Sequence, residues 1–133
     1  PTHTRLATYS LRDGNWDVYL VAMADGATER LTSDTAADNY PAWSPDGARV
    51  AFNSRRDGNA EIYVVAATGA GSETNVTRSP GDDLWFAWSS DGAYLAYNYV
   101  ADGVWSVRVL AVDAPEAAPV VLWPNGGQVA WRP

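Results

Sequence analysis

Two short stretches place oxygen-bearing side chains at alternate positions: Asp13-Gly14-Asn15-Trp16-Asp17 and Asp57-Gly58-Asn59-Ala60-Glu61. Ligands so spaced open a calcium-binding loop. The rest of such a loop is missing, since no glycine stands at the sixth place and no distal glutamate follows. The same residues are ordinary turn formers, because Asp bonds back to nearby backbone and Gly accepts a positive φ. Asp13, Gly14, Asp57 and Gly58 are therefore read as turn residues, and no metal is assigned. Asp34, Asp38, Asp82 and Asp83 make two further connections acidic, which reads as a solvated rim. The one histidine, His3, is read as an exposed bystander. The chain holds no G-x-S-x-G elbow, no phosphate loop and no H-E-x-x-H. The expectation is no catalytic residue, no cofactor and no enzyme. Asn75-Val76-Thr77 fits a glycosylation sequon but falls in an expected strand and is given no role.

The aromatic chemistry is richer: seven Trp stand beside seven Tyr. Exposed in a patch, such side chains bind peptides or sugars. A repeat must position them. Ser10–Met23 (SLRDGNWDVYLVAM) matches Ser54–Ala67 (SRRDGNAEIYVVAA) at offset 44, and Tyr99–Val112 follows at offset 45. Trp43, Trp88 and Trp131 recur at offsets 45 and 43. A period near 44 is that of one propeller blade. Each repeat reads as four short strands, A to D. Strand A carries "YPAW", and the "SPDG" after it is turn chemistry. Strand B is "ARVAFNS". "RDGN" makes the next turn. Strand C, "EIYVVAA", is apolar on both faces, as a sheet covered on both sides requires. Strand D is short: Glu29–Thr32, Thr74–Thr77 and Pro119–Trp123.

The expected architecture is all-β, a propeller of four-stranded antiparallel blades with three blade-equivalents per chain. Residues 1–133 form one segment: strands B-C-D over 2–32, A-B-C-D over 39–78, A-B-C-D over 84–123 and a closing strand A over 127–132. Trp43, Trp88 and Trp131 are assigned to the core between blades. Asp46, Gly47, Asp91 and Gly92 are assigned to the A–B turns. The B–C and D–A connections share one face. Trp16 and Trp105 lie just after the B–C turn, Tyr40 and Trp85 at the start of strand A, and Trp123 at the end of strand D. These five form the candidate binding patch.

Composition bounds the partners. Apolar residues make up 47% and charged residues 19%, the balance of a soluble globular chain. The formal charge of −7 with no basic cluster argues against nucleic acid and against an anionic membrane surface. No apolar run approaches the roughly 20 residues that span a bilayer. With no cysteine, disulfides and thiolate metal sites are excluded.

Tyr40–Gly69 (YPAWSPDGARVAFNSRRDGNAEIYVVAATG) resembles the repeat of TolB-like β-propellers, relatives of WD-repeat proteins. The shared elements are W-S-P-D-G, an apolar-Ala-Phe strand, S-R-x-D-G and E-I-Y. The likeness is strongest in the middle repeat, clear in the first and faded in the third. It implies a periplasmic or extracellular protein that scaffolds or binds partners. It also implies a kinship with the propellers that cap prolyl-oligopeptidase-type hydrolases.

Three blades are too few to close a ring, since propellers run from four to eight. Pro1 and Pro133 fall at one point of the repeat, the A–B turn. Two arrangements complete a ring of about six blades. In the favoured one, the closing strand A of each chain completes the first blade of a second copy, giving a two-fold homodimer. In the other, the chain is a segment of a longer propeller. Three functions stay open: protein binding, carbohydrate recognition and service as a hydrolase's regulatory propeller.

Overall fold

A computed structural model describes residues 4–69 and 72–124. Every regular element among them is a strand. They are β1 (Arg5–Ser10), β2 (Asp17–Ala22), β3 (Thr28–Arg30), β4 (Asp38–Trp43), β5 (Arg49–Ser54), β6 (Glu61–Ala66), β7 (Thr74–Asn75), β8 (Asp82–Trp88), β9 (Tyr94–Ala101), β10 (Val104–Ala111) and β11 (Val120–Pro124). They build three antiparallel sheets in sequence order: β1-β2-β3, β4-β5-β6-β7 and β8-β9-β10-β11. The chain is an all-β propeller segment, and the sheets are its blades. The expected closing strand 127–132, with Trp131, lies outside the described residues, as does His3.

The pattern of apolar residues explains the stacking. Val50, Phe52, Tyr63 and Val65 of the second sheet pack on Val18, Leu20 and Leu31 of the first. Ala51, Ile62, Val64 and Val76 point the other way, onto Trp88, Leu95, Tyr97 and Leu110 of the third. Neighbours along β5 thus alternate between two cores, as the period of two in a strand demands. The middle sheet needs apolar residues on both faces, which is why β6 reads as one apolar run.

The turns follow the sequence in two repeats and depart from it in the third. Gly47 and Gly92 take φ of 70° in the A–B turns, each closed by a hydrogen bond back to Ser44 or Ser89. Ser44 and Ser89 also donate their hydroxyls to Asp46 and Asp91. Two A–B turns thus share one polar lock. The B–C connections of the first two sheets are six-residue loops between Ser10 and Asp17 and between Ser54 and Glu61. In the third sheet Ala101 pairs directly with Val104 across Asp102-Gly103. Both turn residues have positive φ, 50° and 75°, the mirror-image geometry that matches strand twist. Trp105 follows this turn by two residues, as the second residue of β10, opposite Val100.

Candidate functional site

Strand A carries the first aromatic pair. Its pairing with strand B slips between Asn39 and Ala42 in β4 and between Leu84 and Ala87 in β8. At these bulges Tyr40 and Trp85 adopt left-handed backbone, φ 53° and 45°. A bulky residue at positive φ is strained unless its surroundings hold it. Bulges re-aim side chains, and both rings stand exposed. The repeat shows the equivalence of these residues but gives no sign of the bulge.

The five candidates fall into two groups and one separate ring. Tyr9 of β1 bridges Trp16 and Tyr40, with ring centroids 5.5 Å from each. Trp85 and Trp105 stack at 5.3 Å and 9°. Trp123, in β11 opposite Val107, is exposed and has no ring partner among the described residues. Tyr9 was missed from the sequence. Its equivalents in the other sheets are Asn53 and Asn98, so the repeat pointed to a polar residue.

A layer of buried carboxylates lies directly beneath the aromatic rims. Asp38 and Asp83, expected on a solvated rim, are fully buried. Asp38 is the first residue of β4 and Asp83 the second of β8, and their N–H groups donate to Trp16 C=O and Ala60 C=O of the preceding sheet, each at 2.7 Å. Each therefore ties an aromatic-bearing strand to its neighbouring blade. Asp17 and Glu61 occupy the facing position on strand C and are equally buried.

Counter-charges differ between the two joints. In the first, Arg30 reaches Asp17 at 2.6 Å, and Arg56 grips both oxygens of Asp38 at 2.9 Å. Burial still raises the pKa of Asp17, while Arg30 opposes it. In the second joint Asn75 stands where Arg30 would, and Ala101 where Arg56 would. Glu61 accepts from the Thr77 hydroxyl, Asn59 and the Ser79 N–H. Ser79 Oγ donates to Asp83 at 2.6 Å. Burial, aided by the negative Glu61, pushes Asp83 up to about 7, against the pull of the Ser79 and Thr77 hydroxyls.

The Asp-Gly-Asn loops are structural. The Tyr19 hydroxyl donates to Asp13, and the Tyr63 hydroxyl and the Asn75 side-chain amide both donate to Asp57. Asn15 clamps the carbonyls of Asp34 and Ala36, and Asn59 those of Ser79 and Gly81. Their recurrence at offset 44 was the available signal for this clamp. Among the described residues no group of His, Asp and Glu could hold a metal ion.

This architecture has relatives. The chain matches the TolB beta propeller domain family over residues 1–122 and belongs to it. The TolB-type protein of Agrobacterium tumefaciens superposes with a TM-score of 0.81 at 25% identity, over 94% of this chain and 47% of that one. TolB of Acinetobacter baumannii superposes at 0.78 and 23% identity, over 91% of this chain and 30% of that one. Dipeptidyl peptidase 4 of Porphyromonas gingivalis shares the fold at 0.73 and 19% identity, over 99% of this chain and 19% of that one. The chain thus spans less than half the length of these solved proteins. No curated protein sequence matches it.

Proposed function

We propose that the protein is a non-enzymatic binding propeller, in the periplasm or outside the cell. It engages a protein partner through the aromatic rim over its buried carboxylate layer. A second copy completes its ring, to about six blades. The observation that carries this reading is the pair of strained bulges at Tyr40 and Trp85. Each holds a large apolar ring in water at a backbone cost of order 1–3 kcal/mol. The ring contacts with Tyr9 and Trp105, worth about 0.5–1.5 kcal/mol each, offset part of that cost, and a bound ligand would supply the rest. The family supports the reading only at the level of a partner-binding propeller.

A second reading, carbohydrate recognition, is favoured by the near-parallel Trp85–Trp105 stack, a flat apolar platform of the kind sugars cover. The hydrolase-attached propeller draws support from the Porphyromonas gingivalis peptidase in fold alone. Panning a peptide-display library against the purified chain, beside a glycan array, separates the first two. Protein binding predicts an enriched peptide family whose affinity falls at least tenfold in Tyr40→Ala or Trp85→Ala. Sugar binding predicts glycan hits lost in Trp16→Ala with Trp105→Ala. Silence in both assays would overturn the rim as a recognition surface.

A further inference from the structure

We propose that the second joint is a proton-operated latch on the Trp85–Trp105 stack. With one proton between Asp83 and Glu61 the joint stands as described. When that proton leaves, Arg108 turns from the Tyr99 ring to pair with Asp83. The inference deepens the reading of the rim as a binding surface and rests on it for its consequence, because the latch sets the platform that a ligand meets.

The first observation is a buried pair of acids without a cation. Asp83 and Glu61 face each other from neighbouring sheets, both buried. The Thr77 hydroxyl, the Asn59 amide and the Ser79 N–H donate to Glu61, and the Ser79 hydroxyl donates to Asp83 Oδ2. Asp83 Oδ1 has no partner among the described residues. Two carboxyl groups so placed do not both ionise without a counter-charge. Burial favours a proton on Asp83, the Ser79 hydroxyl opposes it, and the charge of Glu61 favours it again. Arg55, from the loop after β5, is turned to Asp82 and makes no ion pair with either acid.

The second observation is an arginine without a carboxylate in the same joint. Arg108 of β10 lies opposite Tyr97 of β9. Tyr97 and Leu110 pack on the second sheet, and alternate residues of a strand share a face, so Arg108 lies on that side too. Its guanidinium carbon stands 3.4 Å from the centroid of the Tyr99 ring. Its Nε is buried and finds no acceptor among the described residues, and the Tyr97 hydroxyl is buried and equally unpartnered. Burial raises the pKa of that hydroxyl. After burial it responds to the charges of Asp83, which raises it further, and Arg108, which lowers it, so it stands near both. Buried polar groups are almost always paired. Turning Arg108 to an ionised Asp83 gives Nε an acceptor and Oδ1 a donor in one move.

The latch acts on the strands that carry the two rings. Asp83 comes two residues before Trp85 on β8, and Arg108 three residues after Trp105 on β10. Only β9 separates these strands, and the rings stack across it. The backbone of Asp83 is pinned to the second sheet, its N–H donating to Ala60 C=O at 2.7 Å and its C=O accepting from the Asn53 amide at 2.8 Å. Just beyond this pin the pairing of β8 slips between Leu84 and Ala87, and Trp85 takes its left-handed φ of 45°. A pull between Arg108 and Asp83 therefore meets a strained bulge that can yield. In the first joint Arg56 already grips both oxygens of Asp38, so the Tyr40 bulge has no such latch.

The test follows the rings themselves. The chain is labelled with 5-fluorotryptophan, and the fluorine resonances of Trp85 and Trp105 are assigned with Trp85→Phe and Trp105→Phe. Between pH 5 and 9 both should move together, with one midpoint near 7. Asp83→Asn should abolish the movement. Arg108→Gln should leave Asp83 titrating, at a higher pH, while the rings no longer respond. Rings that ignore pH in the unaltered chain overturn the latch, and so does a response that survives unchanged in Arg108→Gln. Neither result touches the loss of ligand affinity expected in Trp85→Ala, so the binding surface stands or falls separately.

Discussion

The two joints between blades solve one problem in different ways. Each buries a facing pair of carboxylates beneath an aromatic rim. Two arginines pair with the buried carboxylates of the first joint, whereas in the second Arg55 pairs with the more exposed Asp82 and no ion pair among the described residues reaches Glu61 or Asp83. Arg30 and Arg56 neutralise Asp17 and Asp38 at short range. In the second joint hydroxyls and backbone N–H groups take over, and Asp83 holds a proton up to about pH 7. The cause is local. The short hairpin at Asp102-Gly103 replaces the loop that carries Arg56, so the guanidinium has no place to stand. The lesson is that a repeat can keep its geometry while changing how its buried charge is cancelled.

The largest expected effect breaks the first joint. Arg56→Met leaves Asp38 buried and unpaired, and should cost about 3–5 kcal/mol. Urea unfolding at neutral pH reads it directly. A loss below about 1 kcal/mol would mean that Arg56 matters little to that joint.

Next comes a steric difference. At Gly81 an added Cβ would clash with the Val100 carbonyl and meet the Tyr99 ring at 2.8 Å, because β9 runs on past the point where β5 stops. The equivalent position in the first joint is Ala36. Gly81→Ala should cost about 1–3 kcal/mol through overpacking. Ala36→Gly should cost under about 1 kcal/mol.

The third effect is a slope with pH. The folded chain raises the pKa of Asp83 from an ordinary carboxylate value, so it binds more protons than the unfolded chain between about pH 4 and about pH 7. That contribution is full below this window, falls as pH rises through it and is gone above about pH 7. Asp83→Asn should flatten the decline when melting temperature is followed from pH 4 to 8. Asp17 leans the same way, burial outweighing Arg30, so part of the slope should persist.

The smallest effects should appear at the rims. Trp85→Ala and Tyr40→Ala remove exposed rings and one aromatic contact each, worth about 0.5–1.5 kcal/mol. Ligand affinity should fall far more than stability. Equal losses in both would make the rings structural.

Much of this was legible in the residues. The period, the strands, the A–B turns and the core role of Trp88 all follow from local spacing, because turn chemistry and alternation act over a few residues. The carboxylate layer was not legible. Asp38 and Asp83 resemble loop acids in sequence, and only contact with the preceding blade buries them. The bulges were hidden for a similar reason, since nothing in "NYPAW" or "LWFAW" marks a left-handed residue. The split of the aromatic patch followed from Tyr9, which breaks the repeat at a position where the other blades carry Asn.

The contrast between arginine and proton is tested most directly at one carboxyl group. In a carbon-13-labelled sample, the Asp83 side-chain resonance can be followed from pH 3 to 9 and assigned with Asp83→Asn. A midpoint near 7 is the expected result. A midpoint in the ordinary carboxylate range, near 4, would contradict it and show that the second joint cancels its buried charge by some means other than a proton.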